Sequence, residues 1–396
     1  MRLLHLTSLA LLAWTHAGWG LLLRALRPLG RVADDRESRP AGPPTGLRVA
    51  DGTVPRVSVV VAAYAEQDVI AATVAALRAQ EWPAELLEIL VACDGSPDAT
   101  AERARAAGAD VVLELERGGK HAAQAAAVAR ARGEILVFSD ANTRWAPDAL
   151  AELVAAFEDP DVGYACGRVA FVAADGATNQ EGAYWRLEMA LRRRESDWWS
   201  VTAGNGAIYA LRADVWPRLR TERGHDLSLP HQVVRLGLLA VDRPTARATE
   251  PLVPTLEGES ARKRRMMAQA WRIVLRGGRD GGLGGGILDP RGLPPRYLAA
   301  IVSHRWLRYA SPLLHLLALA AGALLLVRGR ATRIDRLLLA AHLALGAGAA
   351  AGTVVPSRPL LLCRYYVSMT ATIALGLADF LRAGAPAGWE PAEGTR

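Results

Sequence analysis

At 396 residues the chain has room for one sizeable catalytic core and further elements, and its 51% hydrophobic content gathers toward the two ends, which implies a soluble centre with membrane flanks. A formal net charge of +7 suits nucleic acid, anionic lipid or an anionic substrate; nucleic acid is excluded because no helix-turn-helix, zinc-finger or aromatic-basic pattern occurs and the arginines cluster beside the apolar ends. The 3 cysteines lack the paired spacing of a zinc site or a disulfide framework and fit a reducing compartment.

In chain order, Leu3 to Leu23 is free of Asp, Glu, Lys and Arg and long enough to cross a bilayer, so residues 1–27 are predicted to form a transmembrane helix. Arg24, Arg27 and Arg31 then read as a cytoplasmic stop, whereas a cleaved signal peptide lacks a small-residue cleavage site here. Residues 28–55, rich in Pro, Gly, Arg and Asp, are predicted to be a linker.

The folded domain is placed at residues 56–276. Val57 to Tyr64, Leu86 to Cys93, Asp110 to Leu115 and Glu134 to Asp140 read as strands, separated by helical stretches Glu66 to Gln80, Pro97 to Ala107 and Lys120 to Arg132. Such alternation predicts an α/β fold with a mostly parallel sheet and helices on both faces, whose ligands sit at the carboxyl ends of the strands.

After Gly237 the alternation fades; Glu257 to Leu275 is a strongly basic helical segment. Residues 277–308 combine a glycine-rich stretch with Arg296 to Arg308, which reads as an amphipathic interfacial helix. Residues 309–382 hold three apolar stretches near spanning length, and 383–396 form a tail. The expected location is therefore the cell membrane, multi-pass, with the central domain cytoplasmic. One loop, Arg328 to Arg336 with four arginines, then falls outside, against the positive-inside tendency.

Asp94, in ACDGS after the second strand, can accept hydrogen bonds from a nucleobase or ribose, although Asp-Gly also serves as a turn. Asp140 and Asn142, in SDAN after the fourth strand, offer oxygen ligands to a divalent cation, Mg2+ or Mn2+, that would neutralise a departing diphosphate. Lys120, after two glycines at a helix start, could face phosphate or solvent. Asp226, in GHDLSLP, is the candidate general base, with helix capping as its bland alternative.

The order AAY, CDGS, GGKxxA, SDAN, GNGAIYA, HD and an arginine-rich helix resembles family 2 glycosyltransferases of the GT-A fold, and the flanks resemble membrane-bound synthases related to cellulose and hyaluronan synthases. The resemblance implies inverting transfer from a nucleotide-sugar donor, usually a UDP-sugar, to a glycan or lipid-linked acceptor at the membrane. It implies donor contacts from Tyr64, Glu66, Asp94, Lys120, Asp140, Arg262 and Arg265, and acceptor contacts from Gly204 and Asn205. Between these motifs the aromatic and polar groups of Asn179 to Ser200, with Trp185 and Glu188, suit an acceptor, and helix packing explains the same pattern equally well. Asp226 would be catalytic, with the cation on Asp140 and Asn142. The chain departs from the family pattern at Asn142, at His225 before the catalytic acid, at Ala125, and at Met266, where processive synthases carry Trp; this implies non-processive transfer. His225 and Asn142 also leave open a non-catalytic subunit of an envelope-polysaccharide system.

Overall fold

The protein, as a computed structural model, is described at residues 1–26, 54–172, 182–219, 224–251, 256–275, 286–355 and 357–384, without the side chains of residues 182–185, 256–262 and 265. At the N-terminus, α1 (Arg2–Ala13) and α2 (Trp19–Leu26) join through a π turn at Trp14–Gly18. The central domain runs β1 (Val57–Ala63), α3 (Ile70–Arg78), β2 (Leu87–Asp94), α4 (Thr100–Ala106), β3 (Val111–Leu115), α5 (Lys120–Val128) and β4 (Ile135–Asp140). It continues with β5 (Arg144–Trp145), α6 (Ala149–Val154), β6 (Val162–Val172), α7 (Gly182–Trp198), β7 (Ile208–Arg212), α8 (His225–Arg235), β8 (Leu239–Pro251) and α9 (Leu256–Leu275). Four helices close the chain: α10 (Pro295–Ala300), α11 (Leu307–Val327), α12 (Arg333–Ala351) and α13 (Arg358–Ala383).

The eight strands form one sheet in the order β3-β2-β1-β4-β7-β6-β8-β5. The first four are mutually parallel, as the alternation predicts, with Val57 aligned to Leu87 on one side and Ile135 on the other. The continuous β-branched run of β1 is buried on both faces, and the period of two divides it. Val57, Val59 and Val61 pack with Ile70, Val74 and Leu77 of α3 and with α6, whereas Val60 and Ala62 pack toward Ala123 of α5 and Leu229 and Val233 of α8. Helices thus cover both faces.

The other half of the sheet departs from the parallel expectation. β7 runs antiparallel to β4 and β6, and β5 antiparallel to β8. β6 and β8 pair in parallel over long segments that carry Arg168, Asp242, Arg243 and Arg247, so their apolar pattern is interrupted and neither reads as a strand. The mixed region places Thr249 and Glu250 beside Arg144, at the edge reached by the chain just after Asp140.

Among the described residues, four helical stretches are long and apolar enough to cross a membrane: Arg2–Leu26, Pro295–Val327, Arg333–Ala351 and Arg358–Ala383. The first lies within residues 1–27, and the other three overlap the apolar stretches at residues 309–382. The segment Arg296 to Arg308, expected as a separate interfacial helix, instead runs unbroken into α11 through a π turn at Ile301–Trp306. Its polar side chains turn inward: buried His304 bonds Glu195 at 2.7 Å, and Arg305 and Arg308 pair with buried Glu188. Trp14 at the first π turn donates to Ser303 at the second, at 2.9 Å.

The four-arginine loop leads into α12 through a capping box of Thr332 and Asp335, and Asp335 also binds Arg2 at 3.0 Å. That loop therefore shares the end of the helix bundle with the N-terminus. Toward its C-terminal end α13 packs on α9, where Trp271 donates to the Ile373 carbonyl at 2.8 Å and Arg264 pairs with Asp379.

Candidate active site

The carboxyl ends of β2 and β4 flank that of β1, with Ala63 opposite Cys93 and Ala62 opposite Asp140. Asp94 and Asp140 are therefore about two strand spacings apart, roughly 10 Å. One turn bridges them. Asp94 is 1% exposed, and its Oδ1 accepts the amides of Gly118 at 2.7 Å and Gly119 at 2.9 Å. Gly119 has φ +91°, a conformation that favours glycine, and swings the chain into α5. Lys120, the first residue of α5, reaches back to pair with Asp140 and lies 3.5 Å from the Gly206 carbonyl.

Burial opposes the Lys120 charge, but Asp140 and, further off, Glu250 and Asp226 outweigh it and raise the ammonium above its usual value. Three carboxylates on three elements thus act on one lysine, Asp140 by direct contact. Gly206 belongs to the GNG turn, in which the Gly204 amide donates to the Asp226 carbonyl at 2.7 Å. Asp94, Asp140 and Asp226 are in this way linked through a single set of contacts at one rim of the sheet.

Asp226 sits half-buried in the first turn of α8, its Oδ1 accepting the Leu227 amide at 2.9 Å. Its neighbour His225 faces the other way, into the core, where Nδ1 lies 2.5 Å from the Tyr209 hydroxyl and the ring lies 4.4 Å from that of His121. Phe138 and Trp216 meet the same imidazole edge-on. The departure at His225 is therefore a packing feature that anchors the helix start carrying Asp226. Burial, and then the Lys120 charge, lower the His121 pKa to about 4 and keep that imidazole neutral.

Gly204 and Asn205 shape the turn. A Cβ on Gly204 would stand 1.9 Å from the Tyr164 hydroxyl, so only glycine allows this approach. Asn205 donates to the Gly167 carbonyl at 2.6 Å and accepts from Ala207 and Ile208, which engages both ends of its amide. At the opposite corner the Arg117 guanidinium lies 3.2 Å from the centre of the Tyr64 ring and 3.4 Å from Asp94. Ala65 next to it holds φ +52°, a strained conformation that turns Glu66 under α4, where its amide donates to Thr100 at 2.8 Å.

Asn142 is half-buried two residues beyond Asp140. Thr143 donates to Glu250 of β8 at 2.7 Å and brings a further carboxylate to this edge. Among the described residues no three His, Cys, Asp or Glu side chains group as a complete cage for a metal ion. Asp140 and Asn142 nevertheless fit a Mg2+- or Mn2+-type cation, which usually takes one or two protein carboxylates and completes its shell with phosphates and water. The ammonium of Lys120 already shows Asp140 holding a cation.

One expected position is not brought to this rim, and three lie outside the described side chains. Glu188 lies in the buried pairing with His304, Arg305 and Arg308, and the Arg308 guanidinium above all holds its carboxyl well below the usual range despite its burial. The side chains of Trp185, Arg262 and Arg265 fall outside the described residues, although their backbones lie in α7 and α9. Sequence reasoning missed Arg117, which precedes the GGK turn and could have been found there, and Glu250, whose strand carried no readable alternation.

The model of the glycosyl transferase family 2 matches residues 58–215, which span β1 to just beyond β7 and include Asp94, Lys120, Asp140 and the GNG turn. Over these residues the chain is similar to family 2 glycosyltransferases. The solved mannosyltransferase PcManGT from Pyrobaculum calidifontis, in complex with GDP-Man and Mn2+, is similar to 96% of this chain over 99% of its own, at 25% identity and a TM-score of 0.66. The glycosyltransferase AglE of Haloferax volcanii is 30% identical over 134 residues, 33% of this chain; the match spans 44% of that relative's length. Mannosyl-3-phosphoglycerate synthase from Rubrobacter xylanophilus aligns at 20% identity over 61% of this chain and 79% of its own, with a TM-score of 0.43. The central domain has the GT-A fold, and the likeness to the mannosyltransferase extends through the apolar helices.

Proposed function

We propose that this protein is a membrane-anchored, inverting and non-processive glycosyltransferase that moves a sugar from a nucleotide donor to a glycan or lipid-linked acceptor at the membrane. The single observation that carries the reading is the contact of Lys120 with Asp140 and the GNG turn, which draws the strand-end acids and Asp226 to one rim. In this reading Asp94 acts through the turn it holds, Tyr64 and Arg117 face the nucleotide, and Lys120 with Arg262 and Arg265 of α9 meets the diphosphate. Asp226 takes the acceptor hydroxyl proton as that oxygen attacks the anomeric carbon from the side opposite the leaving diphosphate.

Asp140 and Asn142 would hold a Mg2+ or Mn2+ ion, which when bound neutralises charge building on the leaving diphosphate. The UDP-sugar expected from the motifs competes with GDP-mannose, which the whole-chain likeness to the Pyrobaculum mannosyltransferase supports. The four apolar helices support a multi-pass membrane protein, with the catalytic domain on the cytoplasmic face beside Arg24.

The test is nucleoside diphosphate release by the detergent-solubilised full chain from GDP-mannose and UDP-sugars, with Mn2+ and a membrane lipid extract as acceptor. Activity with one donor, lost in Asp226→Asn, supports the reading. Binding of a donor with no release under any condition overturns it in favour of a non-catalytic subunit, the role left open by Asn142.

A further inference from the structure

A cavity of about 1230 Å³, lined by none of the Lys120 contacts, lies between the β5-β8-β6 edge of the sheet and α7. Its lining is strongly cationic. Arg144, Arg168 and Arg247 come from the strands, Arg186, Arg193 and Arg194 from α7, and Arg24 from the end of α2, against one acidic side chain, Asp197. The α7 positions Arg186, Met189, Ala190, Arg193 and Asp197 recur at helical spacing and form one wall, while Glu188 and Glu195 on another face bind the segment that leads into α11.

Part of this charge is compensated: Arg193 pairs with Asp197 at 2.8 Å, Arg168 with Asp242 at 3.4 Å and Arg247 with Asp148 at 3.9 Å. Among the described residues, no hydrogen bond or ion pair satisfies Arg24 or Arg186. The guanidinium excess calls for an anion, and its planar forks match phosphate oxygens.

An apolar helical stretch long enough to cross a membrane, Arg2–Leu26, stands beside the cavity. Trp19 of α2 donates to Glu195 of α7 at 3.1 Å and packs edge-on against Trp198, and Arg194 lies 3.4 Å from the Gly20 carbonyl. The first apolar span thus docks directly on the cavity wall and ends with Arg24 in its lining. Trp145, Val169 and Met189 add apolar surface between the cations. The volume exceeds the roughly 300–1,000 Å³ of a drug-sized pocket, enough for a headgroup and the first part of its chain.

We propose that this cavity binds the phosphate headgroup of a membrane lipid. Arg144 is two residues from Asn142, and Thr249 adjoins Glu250, so the headgroup lies next to the catalytic rim. The acceptor role of such a lipid rests on the glycosyltransferase reading; its binding needs neither donor nor cation, so the two can fail separately.

The test titrates the detergent-solubilised full chain, without donor or divalent cation, with short-chain phosphatidic acid, short-chain phosphatidylcholine and inorganic diphosphate, and follows binding by native mass spectrometry. Phosphatidic acid should bind saturably and more tightly than the other two. Arg186→Ala and Arg247→Ala, both exposed, should each weaken it roughly tenfold, whereas Arg330→Ala on the distant basic loop should leave it unchanged. Arg186→Gln serves as a second variant if either alanine variant loses its thermal transition. Unchanged binding in the folded cavity variants overturns the proposal, and so does inorganic diphosphate binding as tightly as the lipid, which would mark a site for a soluble anion.

Discussion

Replacing Gly204 by alanine tests the geometry that holds the candidate base. The new Cβ would stand 1.9 Å from the Tyr164 hydroxyl oxygen and 2.9 Å from its Cζ. Tyr164 is fully buried with its ring stacked 5.8 Å from that of Tyr209, so it has little room to withdraw. Overpacking of this kind costs about 1–3 kcal/mol. At ~2–4 °C per kcal/mol for a domain of this size, Tm should fall by roughly 2–12 °C. Because the Gly204 amide bonds the Asp226 carbonyl, the shift reaches the base, and a displacement of about 1 Å can lower kcat on the order of 100-fold.

Tyr164→Phe supplies the control. It removes the oxygen responsible for the closest contact, and that hydroxyl has no hydrogen-bond partner among the described residues, so the single variant should be neutral or slightly stabilising. The ring contact at 2.9 Å remains, so the double variant should recover about half of the lost Tm and part of the lost activity. Thermal unfolding in detergent and nucleoside diphosphate release measure both effects. Strictly additive Tm changes, or a Gly204→Ala protein as stable as the parent, would refute the close approach of Gly204 to Tyr164.

Asp140→Asn should raise the Mn2+ concentration for half-maximal activity at least tenfold, read by metal titration of product release. Lys120→Met removes a charge-assisted contact to phosphate and should raise the donor KM by about 10- to 100-fold, seen in initial rates against donor concentration. Glu188→Gln leaves Arg305, Arg308 and His304 facing a neutral amide in a buried site and should cost about 3–5 kcal/mol, measured by denaturant unfolding. Burial, then Arg235, lowers the His231 pKa from 6.5 to about 3. The unfolded chain therefore takes up the proton first, and the stability present above pH 6.5 is lost as pH falls toward 3. His231→Met should flatten the decline of Tm between pH 7 and pH 5, and an unchanged slope counts against a neutral buried imidazole.

The parallel half of the sheet could be read from the chain because each strand from β1 to β4 is a local run and each crossover carries its own helix. Asp94, Lys120 and Asp140 were visible for the same reason: strand ends and glycine turns are local events. The antiparallel half was not. β6, β7 and β8 pair across long separations, with Arg168, Asp242 and Arg247 interrupting their apolar period, so Glu250 could not be assigned to the site.

Sequence by itself determined which segments are apolar enough to cross a membrane and which acids end parallel strands, since both follow from composition and short-range period. Only the tertiary structure decided that Asp94 faces the GGK turn, that His225 belongs to the core, and that His304 and Arg305 of the π turn before α11 meet Glu195 and Glu188. Hydrogen bonds and ion pairs select partners by distance in space, and residues more than a hundred positions apart carry no shared period that would announce their meeting.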